Sequence, residues 1–194
     1  LAGADERVVS VEPVAELSLP HAQWIALEAP AVTSSASGAL AFRDLVHAAL
    51  RIGADRLVVS DLNGPEALDL VSAMGENRDG VLLALAASEP VAALSRLEAL
   101  GRLAGALHMK ELIVLASDVI VHVARYGGAG TRVASIHEMV GVSKGAFVLE
   151  ALFGFSDDDG EAQFVATGKV PAFCEDLRQR GIVVSSQQGV LVGR

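Results

Sequence analysis

Through roughly the first 116 residues, short apolar runs alternate with longer stretches of helical spacing. "RVVSV" (Arg7–Val11) and "QWIAL" (Gln23–Leu27) have the length and branched content of strands. "LAFRDLVHAALRIG" repeats apolar residues at Leu45, Val46, Ala49 and Leu50, a helical spacing, and stops at Gly53. A third strand, "RLVVS", follows. The next helix is predicted from about Pro65 to Met74, with Pro65 where its missing N–H costs nothing and Gly75 as the stop. "GVLLALA" reads as another buried strand. "SEPVAALSRLEALGRLAG" reads as a helix with Ser88 as its cap candidate, and "HMKELIVLA" as a shorter one. Strands that alternate with helices predict a mostly parallel sheet covered by helices.

From about Asp118 the period changes. Val119–Arg125 and Arg132–Val140 are predicted strands, joined through the glycine-rich "GGAG". "GAFVLEALFGF" and "EAQFVATG" continue an antiparallel pattern. "DDD" (157–159) reads as a solvated turn, "TSSASG" (33–38) as a loop, and "PAFCEDLRQRG" as a short amphipathic helix ending on Gly181. No internal repeat is evident.

Composition narrows the class. The chain has 194 residues, enough for one sizeable core. Aromatic residues are only 4%, so that core must be aliphatic. The mean hydropathy of +0.44 is that of a folded chain. A formal net charge of −9 argues against a broad basic face for nucleic acid. The lone cysteine, Cys174, excludes an internal disulfide and reads as a buried thiol. The most apolar stretch, "ELIVLASDVIVHVA", is interrupted by Asp118 and His122, so no transmembrane segment is predicted. The first residue is Leu1, not Met, which suggests a fragment.

Several chemistries are missing. The histidines at 21, 47, 108, 122 and 137 do not fall at metal-ligand spacings. There is no serine elbow and no dinucleotide fingerprint; "GGAG" precedes a strand, so it lacks the helix start a pyrophosphate needs. "TGKV" and "GVSKG" each break the phosphate-loop pattern.

"RLVVSDLNGPEALDL" (56–70) makes the reading specific. It resembles the Walker B region of type II/IV secretion-system motor ATPases, closest to the CpaF/TadA type that drives Tad (Flp) pili, where the family reads R-I-I-V-G-E-V-R-G-x-E-A-L-D. "RVVSVEPVAEL" resembles the family's aspartate-box strand and "FRDLVHAALRIGADR" its R-D-L-V-R-x-A-L-R-M-R-P-D-R. "NRDGVLLALAASEPVAALSRLEAL" is similar to its histidine box and following helix. "SDVIVHVARYGGAGTRVASIHEMVGV" and "FVATGKVPAF" resemble its closing elements. The pieces occur in family order across nearly the whole chain. The resemblance implies an α/β, RecA-like P-loop NTPase core with a β-rich C-terminal extension. Residues 1–117 would be the motor core without its P-loop segment, expected upstream of Leu1, and 118–194 the hairpin-rich part of the same domain.

The resemblance also supplies candidate sites. Glu12 and Asp61 fall on the catalytic acids, with Asp61 facing Mg through water. Glu16, Arg43, Arg51, Arg56 and Arg96 fall near nucleotide-facing positions. A plainer reading keeps Arg56 as the lead-in to a strand, Arg96 on an exposed helix face pairing with Glu98 or Glu89, and Glu12 as a solvated strand end. The implied cofactors are ATP and Mg. The implied partners are further secretion-ATPase subunits in a homo- or hetero-oligomeric (hexameric) ring and an inner-membrane secretion platform, which places the protein in the cytoplasm or peripherally at that membrane.

Departures from the family pattern are chemical. Pro13 replaces an aspartate, Ser60-Asp61 replaces Gly-Glu, and Asn63 replaces an arginine. Ala84 and Ala86 stand where a threonine and a histidine are usual, and His47 and Gly53 where arginines are. Asp61 is one methylene short, a loss of reach of roughly 1.5 Å where sub-ångström placement matters. Each lost preorganised polar contact costs about 10²–10³ in rate. These changes predict weak or absent ATP hydrolysis; the alternative is an active motor whose P-loop lies upstream.

Overall fold

A strand lying between two others in a parallel sheet covered by helices must be apolar on both faces. β1 (Val8–Glu12) meets that demand, since all five of its residues are buried. Its two polar residues are both hydrogen-bonded: Ser10 accepts from Trp24 Nε1 at 2.9 Å, and Glu12 accepts from backbone N–H groups beyond the strand. β1 pairs in parallel with β2 (Trp24–Glu28) and β3 (Arg56–Val59), and β3 pairs with β4 (Val81–Leu83), giving the order β2-β1-β3-β4. The computed structural model describes residues 2–29, 41–76, 80–126, 130–158 and 161–181.

Four helices accompany the sheet: α1 (Phe42–Ile52), α2 (Glu66–Gly75), α3 (Pro90–Leu103) and α4 (Met109–Ala116). α1 buries Leu45, Val46 and Ala49, three of the four positions its periodicity marks, and closes on Gly53 in the left-handed conformation at φ 75°. α2 ends at Gly75, the predicted stop, one residue beyond the predicted last helical residue Met74, and the Glu76 N–H still reaches the Ser72 carbonyl. Val9, Val11, Val46, Val59, Leu62, Leu70, Val71, Met109 and Ile113 form an aliphatic core.

"GVLLALA" needs correction. Only Val81–Leu83 are extended, and Leu82 is 63% exposed. Among the described residues β4 is the last strand of its sheet, with a hydrogen-bonded neighbour on one edge.

The second unit contains an antiparallel sheet in the order β5-β6-β7-β8: β5 (Val119–Tyr126), β6 (Gly130–Ser143), β7 (Ala146–Asp158) and β8 (Glu161–Ala166). The turn between β6 and β7 places Lys144 at φ 51° and Gly145 at φ 80°, the two positive values that suit the twist of a tight hairpin. The predicted "DDD" turn is displaced, because Asp157 and Asp158 still pair with Ala162 and Glu161. Asp159, the 33–38 loop and most of "GGAG" lie outside the described residues. α5 (Phe173–Gln179) follows, with Cys174 buried and unpaired in a disulfide.

Candidate functional site

In a parallel sheet the loops leaving the carboxyl ends of the strands gather the groups that meet a ligand. Here β1 ends on Glu12, β2 on its partner Glu28, and β3 runs into Ser60 and Asp61. Val11 is level with Val59, so Glu12 lies level with Ser60. The two acids predicted from the sequence therefore end adjacent strands.

Glu12 is not a solvated strand end. It is 2% exposed, and its Oε1 accepts the N–H groups of Glu16 and Leu17 at 3.1 and 3.0 Å. The carboxylate thereby folds the chain back after Pro13. Glu28 Oε1 supports the same segment by accepting the Ala15 N–H at 3.2 Å. Glu16 contributes its backbone to this turn, while its side chain is exposed.

Asp61 differs in every respect. It is exposed, has φ 52°, and among the described residues its carboxylate has no partner. Its neighbours are gripped on both sides: the Ser60 N–H donates to the Val11 carbonyl at 3.1 Å, and the Leu62 N–H to the Ala84 carbonyl at 2.9 Å. Sequence reasoning missed the acid that follows. Glu66, at the start of α2, is only 3% exposed, and its Oε1 accepts the N–H groups of Asn63 and Gly64 at 3.3 and 2.8 Å. A glutamate three residues after a polar turn residue and just before a helical run was the available signal.

The arginines are distributed widely. Arg43 forms a two-pronged pair with Asp69 of α2, at 2.6 and 3.0 Å, and His47 Nε2 reaches the same carboxylate at 3.0 Å. The Arg43 hydrogen bond holds the Asp69 carboxyl below its ordinary range, and Asp69 in turn raises Arg43. Arg56 leads into β3 at the opposite end of the sheet and pairs with Glu6 at 2.7 and 3.1 Å. At about 3.3 Å per strand residue it lies roughly 15 Å from Asp61. Arg51 is exposed in the last turn of α1, which Arg7 ties to the same end by donating to the Ile52 and Gly53 carbonyls. Arg96 donates to the Ala86 carbonyl at 2.6 Å. It does not pair with Glu98, which Arg102 and Lys110 hold at 2.7 and 3.2 Å.

Mg and a nucleotide make different demands on these residues. Mg is held by one or two carboxylates and several waters, and Asp61, exposed and without a partner among the described residues, suits that role. Glu12 is committed to backbone donors and suits it less. No group of three or more His, Cys, Asp or Glu side chains among the described residues could enclose a metal. For phosphates, Arg43 and Arg56 are already paired with carboxylates, and Arg96 spends one donor on a carbonyl. The described residues therefore fit the metal better than the phosphates.

A helix-flanked parallel sheet with acids at its carboxyl edge, accompanied by an antiparallel sheet, defines a secretion-ATPase-like domain. The chain belongs to the type II/IV secretion system protein family, whose model matches residues 1–145. It is 35% identical over 161 residues to a Mycobacterium tuberculosis protein provisionally named for conjugal transfer, covering 79% of this chain and 45% of that protein. It is 28% identical over 134 residues to the type IV secretion system protein PtlH of Bordetella pertussis, covering 66% of this chain and 40% of that one. The crystal structure of the VirB11 ATPase from the Brucella suis type IV secretion system, in complex with sulphate, matches with a TM-score of 0.58 and 26% identity over 70% of this chain and 41% of that chain. The chain thus spans less than half the length of these relatives. No helix among the described residues is long and apolar enough to cross a membrane.

Proposed function

We propose that this chain is the C-terminal part of a secretion-type ATPase domain of the CpaF/TadA, Tad pilus-like kind, with weak or no ATP hydrolysis. On this reading it assembles with further secretion-ATPase subunits on the cytoplasmic face of an inner-membrane platform. The supporting observation is the carboxyl edge of the parallel sheet. Its buried acid, Glu12, has its Oε1 occupied by two backbone N–H groups, and positions 84 and 86 carry no polar side chain. Hydrolysis requires an oriented water and neutralised phosphate charge, and of the cations implied by resemblance Arg43, Arg56 and Arg96 are engaged within the chain. The second reading, an active motor with its P-loop upstream, draws on Asp61, whose carboxylate is exposed and has no partner among the described residues.

The deciding measurement is ATP turnover by the full-length protein, alone and with lipid or partner subunits. Turnover at least about 10²-fold below that of an active family member supports the proposal. A rate comparable to active motors that collapses on Glu12→Gln overturns it in favour of the second reading.

A further inference from the structure

Glu66 is a buried titratable group beside Asp61 that the reading above leaves without a task. Burying a carboxylate is costly unless donors compensate it. Here the donors are the backbone N–H groups of Asn63 and Gly64, together with the amino end of α2, where negative charge is favoured. Gly64 belongs to the same unit, since a side chain there would run into the Glu66 carboxylate. Three residues upstream of Gly64, Asp61 holds a left-handed conformation at φ 52°, one that aspartate adopts more readily than most side chains and that its flanking contacts hold in place. The ladder bonds at Ser60 and Leu62 fix its immediate neighbours. Glu66 fixes the next stretch, residues 63 and 64, and so anchors the whole turn to α2.

We infer that Glu66 is a positioning residue: through the Asn63 and Gly64 amides it sets the orientation in which Asp61 presents its carboxylate to a divalent cation. The inference rests on the proposed role of Asp61 as the carboxylate facing Mg through water. It assigns Glu66 no contact with the ion.

The test uses full-length protein carrying Glu66→Gln, Asp61→Asn, the double variant and Gly64→Ala. Mg²⁺ affinity is measured by calorimetry in the presence of ATP, and ATP affinity is measured separately without Mg²⁺. Amide hydrogen exchange over residues 61–66 reports the turn directly. Glu66→Gln is expected to weaken Mg²⁺ binding about tenfold or more, to leave Mg²⁺-free ATP affinity unchanged, and to speed exchange at Asn63 and Gly64. Adding it to Asp61→Asn should cost nothing further, because both act through one carboxylate. Gly64→Ala disturbs the same contact from the other side and should reproduce the loss if Glu66→Gln does not fold. Unchanged Mg²⁺ affinity in both Glu66→Gln and Gly64→Ala, or losses that add in the double variant, overturns the inference while leaving the Asp61 reading intact. Mg²⁺ binding in the unmodified protein that is indifferent to Asp61→Asn overturns that reading and the inference with it.

Discussion

At the scale of single residues, the two acids that look equivalent in the sequence have opposite surroundings. Glu12 is buried under two backbone donors, whereas Asp61 stands exposed on a turn in the left-handed conformation. Glu12→Gln replaces a charged acceptor with a weaker one and should lower folding stability by about 1–2 kcal/mol. Glu28→Gln, at an exposed position making one backbone contact, should change it by less than about 0.5 kcal/mol. Urea unfolding of the two variants checks the contrast. Asp69 supplies a prediction in pH. Its carboxyl is lowered below 3.8 chiefly by the Arg43 hydrogen bond, so the unfolded chain binds a proton there before the folded one does. The stabilisation is therefore complete above 3.8 and is lost as pH falls through the lower folded value. The stability difference between the unmodified protein and Asp69→Asn should be roughly 1 kcal/mol near neutrality and shrink towards zero in strong acid. A gap that stays constant with pH would contradict this account. Neither environment was legible beforehand, because the partners are distant: Arg43 and Asp69 are 26 residues apart, Arg56 and Glu6 are 50.

Among the elements, most of the strands and helices could be read directly, since periodicity is a local property. α1 shows this best, with three of its four marked positions in the core and its predicted glycine stop in place. The misreadings have local causes. β4 is shorter and wetter than its apolar run suggests because, among the described residues, it has a strand neighbour on one side only. β7 continues through two aspartates because β8 supplies ladder partners that composition does not reveal. The β6–β7 turn was recognised only as a broken phosphate loop, yet its lysine stands in a left-handed position that side chains other than Gly, Asn and Asp seldom take. Lys144→Gly should therefore stabilise the protein by about 0.5–1 kcal/mol, the relief of the left-handed penalty less the entropy glycine adds to the unfolded chain. Thermal melting checks the direction, and a lowered melting temperature would contradict the turn assignment.

For the molecule as a whole, 24 acidic residues against 15 basic ones give the −9 charge, and several of the cations are neutralised internally by Asp69, Glu6 and Glu98. No broad cationic surface is expected, so fluorescence anisotropy with duplex DNA at about 0.15 M salt should show no binding tighter than the non-specific range of roughly 10⁻⁴ M. Micromolar, salt-sensitive binding would overturn this. The sequence by itself determined the strand–helix alternation, the parallel sheet, the change to antiparallel strands near residue 118 and the family, because hydrophobic period and motif order are written along the chain. Only the tertiary structure decided that Glu12 is buried, that Arg43 is captured by Asp69, and that Arg56 is captured by Glu6. Those outcomes depend on which elements pack together and in what register, and no local pattern encodes the partner a charged side chain meets once distant segments fold onto one another.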